Sequence, residues 1–217
     1  TLHLVGISKS GFIKKIKYKA GMPIGVVGKD NRNVMIFKAG NRDSIYVISS
    51  DGIISQIPLS SIPDMKVDDI GVEIKRYFGG SGEIITTLKA PSKKEAMTMA
   101  EMELMTVTKN GYAKRLKLSD LKLKDGKEQR IINLNEGDEL AKVIVIPNNT
   151  LDLVVCTNLG NGLRLPIDSI KPASKTAKGQ RIINMATEED VTDLNVIDPS
   201  IKHLLYITSS GKMKLTE

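Results

Sequence analysis

Residues that carry chemistry are scarce in this chain of 217 residues. It holds one cysteine, two histidines, no tryptophan and only 4% aromatic residues. The lone Cys156 excludes an internal disulfide framework, reads as a small buried hydrophobe, and fits a reducing cytosol. His3 and His203 lie far apart in sequence, so no metal site is expected. No Walker A loop, G-x-S-x-G or H-E-x-x-H motif occurs. Gly79-Gly80-Ser81-Gly82 runs into a strand-like stretch rather than a helix, which argues against a phosphate cradle. Tyr77 beside Arg76 has no acidic metal-binding cluster nearby and reads as structural, so no catalytic residue is assigned. Apolar runs fall short of the roughly 20 residues of a membrane helix, so no membrane partner is expected. So few aromatics also argue against a stacking platform for single strands. No signal peptide is visible. The missing initiator Met and the immediate start of a repeat suggest an excised domain.

What the chain does have is one pattern written five times. Residues 6–18, 47–62, 107–121, 155–170 and 206–215 each run from apolar residues into a Ser/Thr/Asn-rich turn, then into a second run of alternating character. Turn glycines fall at Gly11, Gly52, Gly111, Gly160 and Gly211, a spacing of blade and array architectures. A repeat of this length buries its apolar face only against its neighbours. Asn110-Gly111 between two strand-like runs is a strong hairpin signal, since both residues tolerate positive φ.

Past each glycine the register holds in four copies. The fifth residue is Ile16, Ile57, Leu116 or Leu165, expected inside; the fourth is Lys15, Gln56, Arg115 or Arg164, expected outside, because adjacent strand residues face opposite ways. The sixth is Lys17, Pro58, Lys117 or Pro166, and proline there should end the pairing. Three copies then read aliphatic-Ser/Asp-Ser/Asp-aliphatic, at 59–62, 118–121 and 167–170. The last copy departs, with Met213 and Leu215 on even steps, so its blade is incomplete or shifted. A second half-repeat, QRIIN at 129–133 and 180–184 with GVEIKRY at 71–77, precedes an acidic cluster at Glu83, Asp138-Glu139 or Glu188-Glu189-Asp190. A further strand follows. Hairpin plus return pair predicts about four strands per blade. Segment 91–104 is expected to be a blade insertion with a short helix. The expectation is one all-β, propeller-like domain of about five blades over residues 1–217.

Net charge is +7, and residues 1–50 hold nine Lys/Arg against two acids, which is the whole excess. Lys9, Lys14, Lys15, Lys17, Lys19, Lys29, Arg32, Lys38 and Arg42 make a local positive field suited to a polyanion.

The stretch VTKNGYAKRLKLSDL…INLNEGDELAKVIVI…LDLVVCTNLGNGLRLPIDSI over 107–170 resembles the C-terminal domain of the A subunit of bacterial type IIA DNA topoisomerases, gyrase and topoisomerase IV. Degenerate copies extend the resemblance over essentially the whole chain. It implies a β-pinwheel, non-catalytic by itself, that wraps or guides duplex DNA without reading sequence. Its parent would be a cytoplasmic, nucleoid-associated, ATP-driven enzyme with the cleavage tyrosine elsewhere in the same polypeptide. Partners implied are the rest of the A subunit and an ATPase B subunit; no cofactor belongs to this domain, while the parent would use ATP and Mg. Gyrase A subunits carry a Gln-Arg-Arg-Gly-Gly-Lys-Gly-like box, of which QRII at 129 and 180 keeps only Gln-Arg. That departure tilts the resemblance toward topoisomerase IV or a divergent gyrase. Candidate phosphate contacts are Lys14, Lys15, Lys17, Lys114, Arg115, Lys117, Arg130, Arg164, Arg181, Lys212 and Lys214. The other reading is a propeller that serves as a protein-interaction platform, which the near-neutral charge after residue 50 favours.

Overall fold

The computed structural model describes residues 1–29, 32–90, 102–146 and 151–216. Most of the expected insertion, 91–101, lies outside the described residues, while Glu103 and Leu104 open a strand. Among the described residues the chain forms strands β1 (Leu2–Ser8), β2 (Phe12–Lys17), β3 (Asn33–Gly40), β4 (Ser44–Ser49), β5 (Ile53–Pro58), β6 (Val72–Glu73), β7 (Ile84–Lys89), β8 (Glu103–Thr108) and β9 (Tyr112–Lys117). It continues with β10 (Glu128–Arg130), β11 (Leu140–Ile146), β12 (Asp152–Thr157), β13 (Gly162–Pro166), β14 (Gln180–Arg181), β15 (Val191–Ile197), β16 (Leu204–Ile207) and β17 (Met213–Thr216). These make five antiparallel sheets, three of four strands, one of three and one of two. The all-β expectation holds.

The five turns are built alike. In each, the glycine N–H donates to the carbonyl of the Ser or Thr three residues earlier: Gly11 to Ser8, Gly52 to Ser49, Gly111 to Thr108, Gly160 to Thr157 and Gly211 to Thr208, at 2.9–3.1 Å. The hydroxyl of Ser8, Thr108, Thr157 and Thr208 then accepts the amide four residues on, at 3.0–3.2 Å. Glycine alone is left-handed here, with φ near +80° at all five. The Asn110 expectation is thereby corrected. Its φ is not positive, because the loop is a four-residue S/T-x-x-G turn in which only the last residue must be left-handed.

Sheet membership also departs from the expected blade. The strand order β3-β1-β2-β6, then β10-β5-β4-β7, then β11-β8-β9-β14 shows that each fourth strand comes from the chain beyond the following hairpin. Thus the Gln-Arg segment at 180–181 does not complete its own blade. It pairs with β9 of the preceding one, through Gln180 opposite Ala113 and Arg181 opposite Tyr112. Val72 and Glu73 do the same for β2. Glycine permits the approach, since a Cβ on Gly179 would stand 2.6 Å from the Ala113 carbonyl oxygen, and one on Gly71 equally close to that of Ile13.

The chain divides into two compact units, Thr1–Met97 with Lys122–Gln129, and Thr98–Leu121 with Arg130–Glu217. The first unit buries Val5, Ile7 and Ile13 of one hairpin against Ile45, Val47, Ile57, Leu59 and Ile62 of the next. On the other face of the first hairpin, Phe12 and Ile16 are covered by Ile24 and Val27 from the connection to β3. The second unit repeats the plan, with Met105, Val107 and Ala113 against Leu153, Val155, Ile167 and Ile170. The aliphatic-Ser/Asp motifs are 3₁₀ turns over Leu59–Ser61, Leu118–Asp120 and Ile167–Ser169, whose flanking aliphatics are buried. Pro58 and Pro166 end β5 and β13, as their missing donors require. Ile16, Ile57 and Leu116 are buried as expected, whereas Leu165 is half-buried.

The outward assignment of the fourth residue is corrected. Lys15 and Arg115 are buried, Gln56 is half-buried, and only Arg164 is exposed. Lys14 and Lys114, expected on the surface as phosphate contacts, are fully buried too. Alternation gives one wet face only where a sheet has one covered side. Here the hairpin is covered on both, so long cationic side chains find their partners in protein rather than in water. The last hairpin is the opposite case. Leu205, Ile207, Met213 and Leu215 share one face and are 58–70% exposed. The register is regular, with Ile207 opposite Met213, so this sheet is short of strands, not shifted.

Candidate nucleic-acid interface

The buried cations are bound from all sides. The Lys14 Nζ donates to the carbonyls of Val26, Val67 and Asp69 at 2.5–2.6 Å, which uses its three donors. Burial pushes its pKa down, against an opposing pull from Asp69 and Asp68. Lys114 donates to the carbonyls of Ile131 at 2.6 Å and Ala177 at 3.2 Å. Burial lowers its pKa to about 8. Lys15 donates to the Leu59 carbonyl and to Asn41 Oδ1, both at 2.8 Å, and lies 3.2 Å from Asp64. Arg115 pairs with buried Glu103 at 2.6 Å and reaches the carbonyls of Ile167 and Ile170. None of these four stands on a surface where a phosphate could meet it.

The other cations that the sequence pointed to are exposed. Lys17 is 69% exposed and 3.8 Å from Asp64. Lys117, Arg130, Lys212 and Lys214 face solvent. Arg181 also faces solvent, held over the Tyr112 ring at 5.0 Å with a hydrogen bond of 2.8 Å to its hydroxyl. Arg164 has all three nitrogens engaged, with Asp152 Oδ2 at 2.8 Å and the carbonyls of Ile201 and Pro199. It is a local clamp whose charge Asp152 offsets.

Further exposed cations surround the first hairpin. Lys9, Lys19, Lys29, Arg32, Lys38 and Arg42 are all exposed, and Lys38 stacks on Tyr18 at 4.2 Å. Two connections that lead into exchanged strands carry a basic series that the hairpin pattern does not single out. Lys122, Lys124 and Lys127 precede Arg130, and Lys171, Lys175 and Lys178 precede Arg181; all are exposed. The spacing of lysines before each Gln-Arg is the signal that could have found them, and residues 171–181 contain no acid at all.

The acidic clusters at 138–139 and 188–190, by contrast, are structural. Asp138 accepts the Asn110 amide at 3.0 Å, and Glu139 pairs with Lys109 at 2.6 Å. Glu189 accepts from the Thr157 hydroxyl and the Asn161 amide group, both at 2.7 Å, and these bonds hold its pKa below the usual carboxylate range. Each of these clusters staples the return strand to a hairpin turn. Among the described residues no group of three or more His, Cys, Asp or Glu is arranged to hold a metal ion. No helix among them is long and apolar enough to cross a membrane.

Repeated hairpins that exchange a strand with their neighbours define a β-pinwheel. The family model described as "DNA gyrase C-terminal domain, beta-propeller" matches residues 43–89, 103–147 and 151–198, and the chain belongs to this family. It is 25% identical to the DNA gyrase A subunit of Helicobacter pylori (strain ATCC 700392 / 26695) over 228 residues, covering 98% of this chain and 26% of that protein. It is 24% identical to the DNA topoisomerase 4 A subunit of Bacillus subtilis (strain 168), covering 97% of this chain and 26% of the relative. The chain thus spans about a quarter of the length of these relatives. Among solved structures it resembles the C-terminal domain of DNA topoisomerase IV, with TM-score 0.84 and 19% identity over 100% of this chain and 68% of the other. The E. coli ParC C-terminal domain follows at TM-score 0.74 and 17% identity, covering 99% and 85%.

Proposed function

We propose that residues 1–217 act as one non-catalytic, duplex-DNA-binding domain of a type IIA topoisomerase A subunit, topoisomerase IV-like or a divergent gyrase. Family membership carries this reading, together with the exposed positive excess around the first hairpin. Lys17, Lys117, Arg130, Arg181, Lys212 and Lys214 contact phosphates, joined by the first-hairpin cations and by the lysines that lead to each Gln-Arg. Phosphate contacts position the duplex without reading its bases, and a bent path costs several kcal/mol that only many contacts recover. The rest of the A subunit and an ATPase B subunit are the protein partners. ATP and Mg serve the parent enzyme in the cytoplasm, and this domain uses no cofactor.

The apolar face of the last hairpin favours a second reading, a protein-interaction platform. Binding to two unrelated duplexes of equal length, followed by anisotropy across a salt series, separates the two. Similar affinities that fall steeply with salt support the first reading. Absent duplex binding, or a thousand-fold preference for one sequence, removes it.

A further inference from the structure

In the first and third hairpins, one in each compact unit, the fourth residue past the turn glycine does the same job. In the first unit, the buried ammonium of Lys15 on β2 donates to the carbonyl of Leu59 at 2.8 Å. In the second unit, the buried guanidinium of Arg115 on β9 lies 3.4 Å from the carbonyl of Ile167 and 3.2 Å from that of Ile170. Leu59 and Ile167 are equivalent, each opening the 3₁₀ turn of the next blade. The counter-ions differ: Asp64 lies past that turn in the first unit, while in the second Arg115 pairs with Glu103 of β8 in its own blade at 2.6 Å and with Asp168 inside the turn at 3.4 Å. Donor position and acceptor position recur although the cation and its carboxylate do not. Isolated parallel bridges fall at the same place, Lys15 with Asp64 and Arg115 with Pro172.

We propose that Lys15 and Arg115 are positioning residues, pins that fix the angle between the two blades each of them joins and thereby the curvature imposed on bound duplex. They do not touch DNA themselves. Apolar faces alone can slide over one another, because hydrophobic burial is non-directional. A charge-assisted bond to a fixed carbonyl has one good geometry. The inference rests on the duplex-binding reading only for its consequence on DNA; the pin itself is tested without DNA.

In a Cys156→Ser background, spin labels at Asn110→Cys and Leu159→Cys report the separation of the turns of the two blades that Arg115 joins. Both sites are exposed. Arg115→Gln should broaden or shift this distance distribution, and Arg115→Lys should restore much of it while the fold stays intact by circular dichroism. With a fluorophore at each end of a bound duplex, Arg115→Gln should also change the end-to-end distance at saturation. The slope of log K against log salt should move by less than the roughly 0.9 of one lost phosphate contact. An unaltered distance distribution in folded Arg115→Gln overturns the pin. So does a slope lowered by about 0.9 with the DNA geometry unchanged, since the side chain would then be meeting phosphate. If Arg115→Gln does not fold, Lys15→Gln decides, with labels at Lys9→Cys and Ser60→Cys, both exposed, on the two blades that Lys15 joins; an unaltered distance distribution there refutes the proposal. Absence of duplex binding by the wild-type chain would sink the duplex reading alone, and the spin-label result would still stand.

Discussion

The first and third hairpins are built on one plan yet differ in what surrounds them. In both, the third and fourth residues past the turn glycine are cations turned into the protein, Lys14-Lys15 and Lys114-Arg115. Around the first hairpin the remaining cations are exposed, and residues 1–50 hold the whole net excess. Carboxylates stand by both, Asp64 against Lys15 and Lys17 at the first and Glu103 against Arg115 and Glu139 against Lys109 at the third, so the difference lies in the exposed excess. Neighbouring lysines in one strand therefore serve unrelated ends. The buried ones specify how blades and loops meet, and the exposed ones set the field that a polyanion feels.

That contrast breaks most visibly if a buried cation is treated as a surface one. Lys114→Glu places a carboxylate against the carbonyls of Ile131 and Ala177 and should destabilise by about 3–5 kcal/mol, read by urea denaturation. Survival of the fold at near wild-type stability would mean that Lys114 is solvated after all. Leu116→Ala, two residues on in the same strand and fully buried, should cost about 2–5 kcal/mol.

The pH dependence sharpens the difference between the two buried lysines. Lys114 is held at about 8 when folded against an ordinary 10.5, so the unfolded chain binds more protons between those values. Stability should rise with pH across that window, by up to about 3 kcal/mol relative to Lys114→Met. Lys14 is also lowered, but Asp69 and Asp68 oppose the shift, so Lys14→Met should show a weaker dependence. Denaturation at a series of pH values between roughly 7.5 and 10 reads both, and a flat profile for Lys114 would contradict its burial. Smallest is the effect of exposed charge on the fold. Replacing Lys9, Lys17, Lys19 and Lys29 by alanine should change stability by less than about 1 kcal/mol, since exposed pairs contribute little.

Much of this architecture is legible in the chain. The turn glycines and the Ser or Thr three residues before them mark five hairpins, and the aliphatic-Ser/Asp motif marks the 3₁₀ turns. Strand exchange is not legible, because Gln180-Arg181 has the same local pattern whichever blade it joins. Only Gly179, placed where a side chain would strike the Ala113 carbonyl, hints at the partner. The burial of Lys14, Lys15, Lys114 and Arg115 escaped for a related reason. Period-two alternation says which residues share a face, but not whether neighbouring elements cover both faces. Of the candidate interface, the charge excess in residues 1–50 was readable, while the lysines before Arg130 and Arg181 were hidden among connection residues.

The most direct test compares the slope of log K against log salt for duplex binding by two variants of the chain. One replaces Lys9, Lys17, Lys19 and Lys29 by alanine, and the other replaces Lys117, Lys171, Lys175 and Lys178. Both sets are exposed. The first variant should lose more affinity and flatten the slope further, by up to about 0.9 for each phosphate contact removed. The opposite ranking would contradict the first hairpin as electrostatic anchor, and an unchanged slope in both would contradict duplex binding through these cations altogether.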